Sequence, residues 1–156
     1  MRFDNTQRGF TLLLAALVSS LVLALGISIV SIARKSVTLS SITRDSQFAF
    51  YAADSAAECG LYWDLRYLYF GTTSPPGLSP SDVTCDNQQI NATGRQATEP
   101  YTMTYEYESG GYCAQVSVSK NTTNPRTVIH ADGFSVGCSE IDTSSRSLQR
   151  SVELRY

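Results

Sequence analysis

The strongest pattern in the chain is a run with no charge in it. Phe10 to Ala33 reads FTLLLAALVSSLVLALGISIVSIA, 24 positions without a charged residue. As an α-helix this run is about 36 Å long, enough to cross a hydrocarbon core of about 30 Å. A single segment in lipid must bond its own backbone, so a helix is the expected form. After Lys35 no Gly, Pro or loop cluster interrupts the chain. Ile42, Ala49, Ala53, Ala56, Gly60, Trp63 and Tyr67 recur at alternating three- and four-residue steps, with one polar gap at Ser46. That spacing marks one buried face of a helix, and Arg44, Asp54 and Glu58 fall on other faces. One helix is therefore predicted from about Phe10 to about Leu68, stopping near Gly71. Small residues along the stripe suit close packing on a sheet and argue against a leucine-seamed coiled coil.

Thr72 to Pro100 holds four of the five prolines and little apolar periodicity, which reads as a surface loop. Strict alternation follows. Tyr101, Met103, Tyr105 and Tyr107 share one face of a strand, and Thr102, Thr104, Glu106 and Glu108 share the other. Ser109-Gly110-Gly111 makes a turn. Further alternating runs at Tyr112–Lys120, Arg126–Val136 and Gln149–Tyr156 predict a four-stranded antiparallel meander. Its apolar face needs a cover, and the alanine stripe of the helix is the available one. The fold class expected is α+β, a long N-terminal helix with a C-terminal four-stranded antiparallel sheet. The organisation expected is a leader over 1–9, a membrane or assembly helix over 10–35 and a head over 36–156. Within the head, a helix covers 36–70, a loop 71–100 and the sheet 101–156.

Composition changes this picture modestly. The chain has 156 residues, 17% of them charged, and a net charge of -2. That charge content lies below the usual share of about 25%, and the polar uncharged residues that replace it fit an extracytoplasmic surface. No basic run lies outside the membrane flanks, which argues against an electrostatic grip on nucleic acid. Cys59, Cys85, Cys113 and Cys138 all follow the apolar run, with wide spacings and no CxxC pair. Zinc ligands come in close pairs, so zinc is not expected. Two disulfides in an oxidising compartment fit the pattern, and four ordinary buried thiols are the other reading. A Cys59–Cys85 bond would staple the loop to the helix. That bond together with Cys113–Cys138 is one of three possible connectivities.

The leader boundary reads Gln7-Arg8-Gly9-Phe10-Thr11-Leu12-Leu13 and abuts the apolar run. It resembles the motif of type IV prepilins and pseudopilins, which a membrane peptidase cuts after the glycine. Phe48–Asp64, FAFYAADSAAECGLYWD, is also similar to the corresponding region of minor pilin-like proteins. The resemblance implies cleavage between Gly9 and Phe10, N-methylation of Phe10, and a helix kept as the anchor. It implies a ladle-shaped pilin fold, a cytoplasmic N-terminus and a head outside the membrane. The partners implied are other pilin or pseudopilin subunits, the prepilin peptidase, an inner-membrane assembly platform and the lipid bilayer. Members of the family usually carry glutamate at the fifth mature position, where it pairs with a neighbour's N-terminal amine. Here that position is Leu14, which cannot make the pair, as in certain minor and tip subunits. Arg2 and Arg8 before the run and Arg34 and Lys35 after it leave the positive-inside rule undecided. The cysteines and the leader motif set the orientation.

No catalytic residue, cofactor motif or metal motif is found. The one histidine, His130, falls mid-strand, and no serine sits in a nucleophile elbow. The expected function is a structural filament subunit, minor or initiating. A tip adhesin or DNA-uptake subunit, and a simple membrane-tethered domain, are the alternatives.

Overall fold

The structure, a computed structural model, describes residues 6–156. Met1–Asn5 of the expected leader lie outside the described residues. The chain divides into two units, one ending at Ile42 and one running from Thr43 to Tyr156. A single helix, α1 (Thr6–Tyr67), contributes to both.

In the first unit the helix stands alone. Every side chain described from Phe10 to Ile42 is exposed. Its hydroxyls turn inward on the helix itself: Ser19 donates to the Ala16 carbonyl at 3.0 Å, Ser20 to Leu17 at 2.8 Å and Ser28 to Ala24 at 3.0 Å. Such back-bonding hides the polar atoms within an otherwise apolar surface.

In the second unit α1 lies on a sheet. Strands β3 (Tyr101–Ser109), β4 (Tyr112–Lys120), β5 (Thr127–Phe134) and β6 (Gln149–Arg155) form an antiparallel meander in that order. The register aligns Tyr105, Val116, Ala131 and Val152 across the face that meets the helix. Glu106, Gln115, Asp132 and Ser151 align across the other. Ala49, Ala53, Ala56, Ala57 and Gly60 form the buried stripe of α1. The contact is close enough to reach backbone: a Cβ on Gly133 would stand 2.0 Å from the Ala49 carbonyl oxygen and 2.5 Å from the Ala53 amide. At Gly60 a Cβ would meet the Tyr105 hydroxyl at 2.9 Å. Small residues are thus a steric requirement of this packing.

Both ends of the expected stripe depart from burial. Ile42 is 48% exposed and Tyr67 38% exposed. The helix also ends earlier than Gly71. Leu68 adopts a left-handed conformation (φ 52), its amide bonding the Asp64 carbonyl at 3.0 Å. Tyr69 N–H then folds back on the Trp63 carbonyl at 3.1 Å. This is an αL termination built without glycine, and it swings Tyr69 and Phe70 into the core.

Residues 71–100 differ from a plain surface loop. A 3-10 turn (Pro80–Asp82) leads into a short hairpin of β1 (Thr84–Cys85) and β2 (Gln88–Gln89). Asp86 and Asn87, both with positive φ, make its turn, the backbone that a two-residue hairpin requires. Val83 and Ile90 flank the hairpin and are fully buried. Two apolar anchors suffice to bring the segment into the core, and that is too sparse a signal for periodicity to register. Arg95 completes the fit, donating to the Gly71 and Tyr69 carbonyls at 2.7 Å each.

Candidate assembly surfaces

The residues marked out in the sequence do not converge on one site. Gly9 and Phe10 lie inside α1, and Phe10 and Leu14 are exposed on it, 68% and 53% respectively. The cysteines do come together, in two pairs. Cys59 and Cys85 are bonded with their Cα atoms 6.0 Å apart, tying α1 to β1. Cys113 and Cys138 are bonded at 4.7 Å, tying β4 to the short turn after β5. Closing loops of 26 and 25 residues removes unfolded-state entropy worth roughly 3–4 kcal/mol per bond. Glu106 lies beside the second pair, but those sulfurs are joined to each other and offer no thiolate to a metal.

The tyrosine face of β3 is core. Tyr101, Tyr105 and Tyr107 are each no more than 6% exposed. Tyr105 donates to the Ala56 carbonyl at 3.2 Å, and Tyr101 to the Phe70 carbonyl at 2.6 Å. Burial pushes the phenols of Tyr101, Tyr105 and Tyr107 above their ordinary range. Their rings are not available to stack on a base or a sugar.

The opposite face of the sheet is open and polar. A shallow groove runs across it from Asn91 and Thr93, past Glu106, Gln115 and Ser117, to His130 and Asp132. His130 stands between two carboxylates, with Nδ1 3.3 Å from Glu153 and Nε2 3.3 Å from Asp132. At Asp132 partial burial acts to raise the pKa. Hydrogen bonds from Ser151 and Gln149 and the neighbouring His130 outweigh it and hold the group low. Glu153 is held low first by its hydrogen bond from Arg155. Both ring nitrogens of His130 are thus turned to carboxylates. The cluster ties β5 to β6 as a surface polar network.

One constellation escaped the sequence reading. Asp64 follows Trp63 on the buried stripe and is 3% exposed. Lys120, at the end of β4, brings Nζ to 2.7 and 2.6 Å from its two carboxylate oxygens. Lys120 also donates to Thr127 at 2.9 Å, and the Tyr156 hydroxyl donates to Asp64 at 2.5 Å. Burial, then the Asp64 carboxylate, pushes the Tyr156 phenol up. The available signal was a helix-face acid one step past the tryptophan, with one lysine and the final tyrosine ending two inward-facing strands.

The described residues thus define an α+β protein with a helix long and apolar enough to cross a membrane. No family model matches the chain, and no curated protein or solved structure matches it.

Proposed function

We propose that this chain is a minor or tip subunit of a type IV pilus or pseudopilus-type filament, cut after Gly9 and anchored by Phe10–Ala33. The observation that carries the reading is one helix with two kinds of surface. Its first part is uncharged, apolar and unburied over 24 positions. Its second part lays an alanine stripe beneath a four-stranded sheet. The apolar part sits in the bilayer and then packs against the equivalent helices of other subunits. The head stands outside the membrane, where disulfides persist. Arg34 and Lys35 reach the lipid headgroups at the outer end of the span.

Leu14 supports the minor role. A carboxylate in lipid is stable only when paired, and a subunit with leucine there neither needs nor offers that pair. Such a subunit fits the end of a filament better than its repeating body.

The test is intact mass and N-terminal sequencing of the membrane-extracted protein, made in cells that contain a prepilin peptidase. The expected product begins at Phe10 and carries one added methyl group on its amine. A chain that still begins at Met1 refutes the proposal and leaves a membrane-tethered domain.

A further inference from the structure

The sequence holds two Asn-X-Thr triplets, Asn91-Ala92-Thr93 and Asn121-Thr122-Thr123. Such a triplet accepts an N-linked glycan where it lies on the surface of an extracytoplasmic domain. The triplet alone is a weak mark, and its surroundings decide. The fold treats the two differently.

Asn121 opens the turn between β4 and β5, and its side chain is spent there. It is half-buried. Its backbone N–H bonds the Arg126 carbonyl at 2.8 Å, and its side-chain amide donates to the Pro125 carbonyl at 3.3 Å. Lys120 beside it is held on Asp64. A sugar on the Asn121 nitrogen would stand against the backbone of its own turn.

Asn91 follows β2, on the segment that lies along β3. Thr93 and Thr104 exchange both backbone hydrogen bonds at 2.9 Å, which covers the β3 edge of the sheet. The β6 edge has no such cover among the described residues. The Thr93–Thr104 pairing fixes which way the triplet faces, because extended backbone turns alternate side chains to opposite sides. Ala92 packs against the core. Asn91 and Thr93 are both exposed, and both line the open polar groove. The acceptor amide and the hydroxyl that marks it thus lie on one outward side. The Asn91 side-chain nitrogen makes no hydrogen bond among the described residues, and its oxygen takes a long one from Gln89, at 3.5 Å. The groove beyond gives a bulky glycan clearance, and Gln115 and Ser117 along it present hydrogen-bonding groups to sugar hydroxyls.

We infer that Asn91 is the attachment site of an N-linked glycan, added by a membrane-bound oligosaccharyltransferase from a polyprenyl-diphosphate-linked oligosaccharide. In the transfer the Asn91 amide nitrogen forms a bond to the anomeric carbon of the first sugar. The bond from that carbon to the diphosphate oxygen breaks, and the polyprenyl diphosphate leaves with the electron pair. One amide proton passes to solvent, and nothing is oxidised or reduced. Asn121 stays unmodified. The inference shares with the proposed function only the placement of the head outside the membrane. It needs neither cleavage after Gly9 nor assembly into a filament.

The experiment uses the full-length protein and its variants, made in the cells of the source organism and extracted from their membranes. Intact mass, corrected for any loss of residues 1–9, is expected to exceed that of the chain by the mass of one oligosaccharide. In a reduced tryptic digest the whole increment falls on the peptide Tyr67–Arg95, and fragmentation that spares the sugar places it on Asn91. Asn91→Gln and Thr93→Val each abolish the increment, Thr93→Ser keeps it, and Asn121→Gln leaves it unchanged. No increment in the wild type overturns the inference. So does an increment found on Asn121, on a serine or on a threonine, and so does one that survives Asn91→Gln. The wild-type peptide map decides the matter even where a variant fails to fold. A product that begins at Met1 and carries the glycan refutes the filament reading and leaves this one standing. A product that begins at Phe10 with Asn91 bare does the reverse.

Discussion

The two parts of α1 are continuous in backbone and opposite in surface. Phe10–Ala33 is built from large aliphatic residues, and all of them are exposed. In Ala49–Gly60 the sheet-facing positions are filled by the smallest residues, and they are buried. Apolar bulk along a helix thus does not identify the buried part. Burial within the protein follows the side that a partner can approach, and here the partner approaches closely enough to require Ala and Gly. The large residues of the first part await an apolar environment that the protein itself does not supply.

Substitutions on the two parts test this contrast. The largest effect is expected at Asp64→Ala, which leaves the Lys120 ammonium buried without its counter-ion. Denaturant unfolding of the detergent-solubilised protein should show a loss of about 3–5 kcal/mol. Asp64→Leu combined with Lys120→Met should recover most of it, because two apolar side chains remove the stranded charge along with the pair.

Next come the close contacts. Ala53→Leu and Gly133→Ala each force backbone apart and should cost about 1–3 kcal/mol or more. The matching change in the first part, Leu25→Ala, should leave the unfolding of the head within about 0.5 kcal/mol of wild type. Equal losses in the two parts would mean that the apolar run is packed within the protein.

Alkali probes the same core without mutation. The buried phenols of Tyr101, Tyr105 and Tyr107, and the Tyr156 phenol bonded to Asp64, have folded-state pKa values raised above the ordinary value of about 10. Their contribution is complete below that value and is lost as pH rises beyond it, because only the unfolded chain ionises them readily. Phenolate absorbance from these four should therefore appear together with the loss of near-UV circular dichroism. The smallest effect is a gain. Leu68 holds a left-handed conformation with its side chain 69% exposed, so Leu68→Gly should stabilise the helix end by about 1 kcal/mol.

Much of the fold was legible in the residues. The expected strand Tyr101–Glu108 appears as β3, Tyr101–Ser109, and the expected Arg126–Val136 as β5, Thr127–Phe134. Alternation is a local signal, and a half-buried strand displays it in full. The hairpin at Thr84–Gln89 was not legible, because its anchors Val83 and Ile90 are isolated apolar residues among polar neighbours. Nor was the Asp64–Lys120 pair, whose members stand 56 residues apart. Asp64 carries only the hint of its place beside Trp63 on the helix face, and nothing near Lys120 marks it as the partner until the helix is laid on the sheet.

The sequence by itself determined the apolar span, the alanine stripe and the meander, since each is written in the periodicity of neighbouring residues. Only the tertiary structure decided which part of α1 is covered, where the helix stops and which sheet edge stays open. Those outcomes depend on how closely distant backbones approach. That distance is set jointly by side chains far apart in the chain, Gly133 against Ala49 and Thr93 against Thr104 among them.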